Sequence, residues 1–544
     1  MRLLLLLLQQ LLPLLLLLLL LSCCYGGEVG AGTGTHSMSS EGHQKRIKAI
    51  SDQLSSKPAG SRVTLKRSQS EGHCPRPLSY KHAATQVDIS DMNKLISLEI
   101  LDARDDIPNG FNRKEIVAIA DVQAMMSMED LVDALLPHGV IPAVVPEFKG
   151  ITIGGSIQGL AAESTSFKYG FVHDAIAGFE ALLGDGRVLW CSPDSNADIF
   201  YGLPGTFGTI AIITRVKLYC LKTEPFVSIK CIVHNTADRC INYMGYIQDK
   251  HLDHPLDEGD HPYKCDFLEG LGFGSRRVVS VAASFCSEDK KRQLLNKKIR
   301  KANNNTDVNI YRECNKFGTK WFYNQIKDFT RTSTWGAILQ KLPQNEMGVI
   351  VMPIKDYLFR HDRGSFWMAS YRIPQIVGSF LMGKLLDSTN MFKLATALPW
   401  AFPKSQIMLQ DFMLPRVQAN SFLQAMQDLL KVWPIWFLPM RNIKHNNRQA
   451  SFAGATINGH FTNIGTYGIP KKKFDFIEHN KFLEGTLSEN NGRKVYYSHA
   501  FYDRDYFYKK LHDGDKYFNL RNKYGADRAF TDVYDKIITK NGEL

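Results

Sequence analysis

At 544 residues the chain exceeds what one hydrophobic core serves, so two or more folded units are expected. A hydrophobic share of 44% beside 22% charged residues excludes a disordered chain, and 11% aromatics supplies large side chains for burial. Lys and Arg total 66 against 54 Asp and Glu, a net +12 that favours anionic cofactors or anionic lipid; with no RNP, zinc-finger or basic-zipper pattern, nucleic acid is excluded as a partner.

The chain opens on Arg2 and a leucine run from Leu3 to Leu21 broken only by Gln9, Gln10 and Pro13, which addresses a membrane. Small residues at Ser22, Cys23, Cys24 and Gly26 fit a cleaved signal peptide, while the length of the run fits a retained signal anchor; both readings of the leader, residues 1–26, stand. Residues 27–40 are rich in Gly and Ser and read as a flexible linker, with folded structure expected from Glu41. Ten cysteines include no C-x-x-C pair, so neither a zinc site nor a redox dithiol is expected, and no metal is assigned. A sequon at Asn304-Asn305-Thr306 fits lumenal exposure.

A helix is predicted over Gln44–Leu54, then a strand over Ser61–Arg67 that ends in Ser68, Gln69 and Ser70. Arg67, Ser68 and Ser70 have the chemistry for phosphate contacts, and equally that of a polar turn. After a strand at Ile116–Val122, Ser127-Met128-Glu129-Asp130 begins a helix whose Met128, Leu131, Val132, Leu135 and Leu136 share one face. Pro137-His138-Gly139 stops it, and a strand over Val140–Val145 leads into the glycine-bearing stretch Thr152–Ser164, TIGGSIQGLAAES.

Gly154, Gly155 and Gly159 are spaced so that backbone N–H groups can turn to one side of a tight loop and hold an anion with no Cβ in the way. The stretch lacks the Gly-x-Gly start of a Rossmann fingerprint, the Gly-Lys-Ser/Thr of a Walker loop and the second glycine of a nucleophile elbow. A hairpin is predicted from Ile176–Leu183 and Arg187–Cys191 around Gly184-Asp185-Gly186. A second glycine turn follows at Gly205-Thr206-Phe207-Gly208, and a β-branched strand at Ile210–Leu218.

Together, TIGGSIQGLAAES, Lys168-Tyr169-Gly170, FEALLGDGRVLW and DIFYGLPGTFGTIAIITRVKL resemble, over Arg62 to Lys222, the FAD-binding domain of PCMH type, also called vanillyl-alcohol-oxidase type. Within it the chain is most similar to the Δ24-sterol reductase (seladin/diminuto) group. The likeness rests on Pro146-Glu147, Thr152 to Gly155, Glu163-Ser164 and Lys168-Tyr169-Gly170. It continues more faintly through 363–367, 410–415, 433–436, 464–468 and 533–537. The segment 68–81 departs from that pattern, as does Phe167 where a polar residue is expected, which bears on the substrate more than on the cofactor.

The resemblance implies an α+β fold: a two-part FAD-binding PCMH-type domain over 41–223, then an α/β substrate (cap) domain over 224–544. It implies FAD gripped by Arg67, Ser68, Ser70, Thr152, Ile153, Gly154, Gly155, Ser156, Gly159, Ser164, Lys168, Tyr169, Gly170, Gly205, Gly208 and Ile210. His73 follows Gly72, yet the paired glycines of a flavin-linking motif are missing, so FAD is expected noncovalent and His73 a loop residue. It also implies NADPH as electron donor, a sterol side-chain double bond as substrate, and a single N-terminal anchor in the endoplasmic reticulum membrane, the secretory lumen or secretion being the alternative.

In the second half, Ser287–Lys301 reads as a basic helix, a solvated face or a contact to lipid or dinucleotide phosphate. Ile376–Leu386 and Phe392–Phe402 are apolar blocks too short to span a bilayer, read as core or as the edge of an apolar cavity. An isolated alkene is unpolarised, so its reduction by hydride needs a proton from a positioned acid; Tyr467, Tyr502 and His361 are the candidates, and no spacing singles one out. Two further readings stay open: a flavin oxidase or dehydrogenase of a sugar, lactone or hydroxy acid, and a non-catalytic membrane-associated binding protein on the same scaffold.

Overall fold

The computed structural model describes residues 37–540 except 59, 67–74, 77, 82–83, 103–106, 108–110, 113, 254–263, 295–318, 331–348, 372–385, 398–402 and 444–458. Several expectations therefore lie outside the described residues: the leader over 1–26, the linker up to 36, Arg67 with Ser68 and Ser70, His73, and the sequon. So do most of the two apolar blocks and the basic segment beyond 294.

The first unit begins with the Ser40–Ser55 helix and a parallel pair, β1 (Arg62–Lys66) and β2 (Ala84–Asp88). Its main sheet contains β3 (Leu95–Ile100), β4 (Ile116–Gln123), β5 (Val140–Pro142), β6 (Ile176–Leu182), β7 (Val188–Cys191) and β8 (Ile212–Lys222), in the order β3-β4-β8-β6-β7 with β5 also on β8. The long, β-branched β8 is buried along most of its length because β4, β5 and β6 all pair with it. The β6–β7 turn closes with Leu183 donating to the Arg187 carbonyl at 2.8 Å, and Gly186 takes φ +90°, a conformation open to glycine. Ser127 caps the Met128–Leu135 helix by accepting from the Asp130 amide at 3.1 Å.

Two expectations change here. The strand from Val140 stops at Pro142, and the glycine stretch is a short helix, Ile153–Gln158, rather than an open loop. The reason is local: the Thr152 hydroxyl caps the turn, and the Ile153 and Gly154 amides dock on the Met126 and Ala124 carbonyls.

The chain leaves the first sheet at Lys222 and enters a second at β9 (Phe226–His234). The others are β10 (Phe267–Gly274), β11 (Arg277–Cys286), β12 (Val349–Pro353), β13 (Met408–Pro415), β14 (Ile435–Met440), β15 (Phe461–Gly468) and β16 (Arg493–Lys494). All eight are antiparallel, in the order β12-β9-β11-β10-β14-β15-β13-β16. The Ala237–Asp253 and Ala419–Leu430 helices cover one face through Ile241, Met244, Phe422 and Met426 against Phe412, Phe437 and Ile464. The opposite face, with Phe267, Trp436 and Tyr467, joins the core of the first unit.

The last helices return to the first unit, so the division at 223/224 omits part of it. Ala526, Ala529 and Phe530 pack with Ile47, Ile50, Val63 and Val87. Arg521 donates to the Phe530 carbonyl at 2.8 Å, and the Tyr517 and Thr209 hydroxyls lie 2.8 Å apart. Among the described residues no helix is long and apolar enough to cross a membrane, and six cysteines are buried and free.

Candidate functional site

The two glycine-bearing segments lie side by side, laced by one side chain. Gln158 Oε1 accepts from the Gly208 amide at 2.8 Å and the Thr206 hydroxyl at 3.3 Å, and its backbone carbonyl accepts from Phe207 at 3.2 Å. Gly205 donates to the Ile157 carbonyl at 3.3 Å. Gly205 and Gly208 have φ of +78° and +72°. The Gly208 amide is committed to Gln158, but a Cβ built on Gly208 would meet nothing nearer than the Lys536 ammonium at 3.7 Å, so there is open space for an anion beside a cation. Arg76 is buried against the same turn, its guanidinium 5.3 Å from the Phe207 ring centre, and its Nε has no partner among the described residues. Positive-φ glycines, an ammonium and an orphaned guanidinium nitrogen fit a polyanionic cofactor such as a dinucleotide.

Other expected cofactor residues serve the frame. Ile153 and Ile210 are core side chains, the Ser156 hydroxyl donates to the Thr152 carbonyl at 2.9 Å, and the Gly159 amide to Gly155 at 2.8 Å. The buried Lys168 ammonium sits between Glu115 at 3.3 Å and Asp266 at 3.4 Å, Tyr169 donates to Glu115, and Gly170 turns the chain at φ +67°. The Ser164 carbonyl accepts from Leu268 at 2.8 Å, tying the glycine segment to β10.

Strand periodicity sorts the second sheet's chemistry onto one face. Glu269 shares the β10 face of Phe267 and Leu271, directed at the first unit, and Trp436 on β14 reaches it with an N–H donation of 2.7 Å. Arg360 bridges Glu269 at 2.8 Å and Glu163 of the first unit at 2.9 Å, all three buried. His361 Nε2 lies 2.9 Å from Glu269 Oε2. Burial opposes ionisation of Glu269, but the charges of Arg360 and His361 outweigh it and hold the carboxyl below its usual range; burial pushes His361 down. Glu163, Glu269 and His361 are close enough to chelate a cation, but the guanidinium already neutralises this pocket.

On the same face Asp411 of β13 accepts from Tyr467 at 2.9 and 3.0 Å, from Asn463 at 2.6 Å and from Tyr497 at 2.8 Å. Gly465 is directly opposite Asp411; a Cβ there would stand 2.9 Å from Asp411 Oδ1, so the glycine leaves room for the cluster. Phe366 joins the candidates, 4.3 Å from the His361 ring and 4.9 Å from the Tyr467 ring. Tyr502 is not brought to them; it is buried beside Tyr496 and Tyr506. Burial pushes Asp411 up, and burial with the neighbouring charges of Glu163 and Asp411 pushes Glu147 up to about 8. The reading of the sequence missed Glu147, Arg360 and Asp411 as site residues; Gln410–Pro415 runs two polar residues into three apolar ones, so no alternation marked Asp411.

Residues 68–192 match the family described as FAD binding domain. The chain carries an FAD-binding domain. Together with its relatives the domain places the chain among flavin-dependent oxidoreductases. The chain is similar to "Delta(24)-sterol reductase" of Homo sapiens, 24% identical over 440 residues, 78% of this chain and 74% of the relative. It is 26% identical over 443 residues to the protein of that name from Pisum sativum, 77% and 72% of the two chains. "Cytokinin dehydrogenase 4" of Arabidopsis thaliana shares 28% identity over 99 residues, 18% of this chain and 19% of the relative.

Proposed function

We propose that the chain is an FAD-dependent reductase of a carbon–carbon double bond in an apolar, sterol-like substrate, with NADPH as donor. The observation that carries this reading is the sorting of the second sheet. The face turned to the FAD-binding domain holds Phe366, Trp436 and Tyr467 beside buried proton-bearing groups, an apolar wall with an acid in it. Similarity to the sterol reductases spans both units, whereas similarity to the cytokinin dehydrogenase covers 99 residues.

Noncovalent FAD, when bound, supplies hydride. Lys536 and Arg76 would hold its phosphates beside the open backbone at Gly208, and the Gln158 lacing keeps the two glycine segments in register. The leucine-rich leader is read as an anchor in the endoplasmic reticulum membrane, which would set the apolar site at a lipid surface.

The test is anaerobic spectrophotometry of the purified protein. Bleaching of the flavin by NADPH and its restoration by desmosterol is the expected result. A flavin indifferent to NADPH, bleached by sugars or hydroxy acids and restored by air would establish the oxidase instead.

A further inference from the structure

The buried acids on the second sheet and on the Phe476–Glu489 helix packed against it are not equivalent. Glu269 has Arg360 at 2.8 Å and Glu484 has Lys494 at 2.6 Å, so each is balanced by a cation. The side chains holding Asp411 are all neutral, two phenols and an amide, and a phenol accepts as well as donates, so a protonated Asp411 has the Tyr467 oxygen as an acceptor in place of the bond that Tyr467 donates to the carboxylate. A buried carboxyl without a counter-charge keeps its proton more cheaply than it carries a charge. Its neighbours also include an acid, because Glu147 of the first unit lies within electrostatic reach of Asp411 and of Tyr467. Ionising both carboxyls costs more than ionising either.

The three oxygens form a chain with an outside and an inside. Tyr497, in the segment after β16, is part-exposed, while Tyr467 is buried and its ring lies on Phe366 at the seam with the FAD-binding domain. Main-chain bonding fixes the arrangement, since the Val495 amide donates to the Asp411 carbonyl at 3.1 Å.

We propose that Asp411 is the proton store of the reaction, that Tyr467 delivers the proton to the substrate, and that Tyr497 refills the store from solvent. The assignment rests on the reductase reading, in which a hydride and a proton add across one double bond. The π bond breaks as hydride from the reduced flavin forms a C–H bond at one carbon. The Tyr467 O–H bond breaks as its proton forms the C–H bond at the other. The Asp411 proton moves to the Tyr467 oxygen, the Tyr497 proton to Asp411, and one from water to Tyr497. Two electrons pass to the alkene and the charges close.

The experiment compares wild type with Tyr467→Phe and Asp411→Asn. Both variants should retain flavin, and NADPH should reduce Tyr467→Phe at the wild-type rate. Reoxidation of reduced Tyr467→Phe by desmosterol should slow on the order of 100-fold or more, the scale of a lost general acid. An unchanged reoxidation rate would overturn the assignment. A second readout needs no turnover: beside the protonated-carboxyl bands that Glu147 and Asp174 contribute to every variant, wild type and Tyr467→Phe should show at neutral pH one further protonated-carboxyl band that is missing from Asp411→Asn. Identical spectra for wild type and Asp411→Asn would overturn the store. Should desmosterol fail to reoxidise wild type, the reductase reading falls by itself, and the infrared comparison still decides where the proton is held.

Discussion

Glu147 shows how position sets the chemistry of a single side chain. Its carboxyl, ordinarily near 4.5, is pushed up to about 8 by burial and by the charges of Glu163 and Asp411. Between those values the folded state holds a proton that the unfolded chain releases, so stability falls as pH rises through that window. Glu147→Gln removes this slope. Its advantage in melting temperature over wild type should therefore open above pH 4.5 and level off near pH 8. Asp174, raised to about 7, and Asp362, raised to about 6, contribute equally to both proteins and cancel in the difference. Gly155 is the second informative residue. A Cβ there would stand 2.9 Å from the Thr152 hydroxyl that caps the helix, so Gly155→Val should dislodge a cap worth about 1 kcal/mol. We expect the purified variant to lose its visible flavin absorbance while its far-ultraviolet dichroism stays native; full flavin occupancy would exclude this segment from cofactor binding.

At the scale of elements, the two glycine segments act as one part only because Gln158 joins them. Gln158→Leu fills similar volume and removes the acceptor for Gly208 and Thr206. Flavin affinity should fall at least tenfold by equilibrium dialysis, with little change in melting temperature. The strands here were legible in the sequence, since alternation and β-branching mark β4, β6 and β8, and Ser127 marks the helix it caps. The Ile153–Gln158 helix was not, because consecutive glycines argue against helix and only the Ala124 and Met126 carbonyls, distant in sequence, impose one. Likewise His361 and Tyr467 were legible as candidates but their meeting across Phe366 was not, since that ring brings together positions about a hundred residues apart.

For the whole molecule, the seam is held by Arg360 between Glu163 of one unit and Glu269 of the other. Arg360→Met leaves two buried carboxylates without their cation, which typically costs about 3–5 kcal/mol. Denaturant unfolding should show a corresponding drop in midpoint, and lowering the pH should recover part of it by protonating the acids. A shift below 1 kcal/mol at neutral pH would mean the seam tolerates the charges through water. The return of the C-terminal helices to the first unit was illegible from the sequence, because their apolar residues suit any core; only the partners Ile47, Val63 and Val87 identify it.

That return carries a consequence for how the protein is made. Ile47 and Val63 leave the ribosome early, but Ala529 and Phe530, which complete their core, are translated only after the whole second sheet. The cofactor-bearing half therefore waits, unfinished, through synthesis of the entire second sheet, and acquires its full core only once residues 526–530 have emerged. A message truncated before Ala526 would yield a polypeptide with every glycine of the cradle in place and an open core beneath it, a substrate for quality control rather than for flavin.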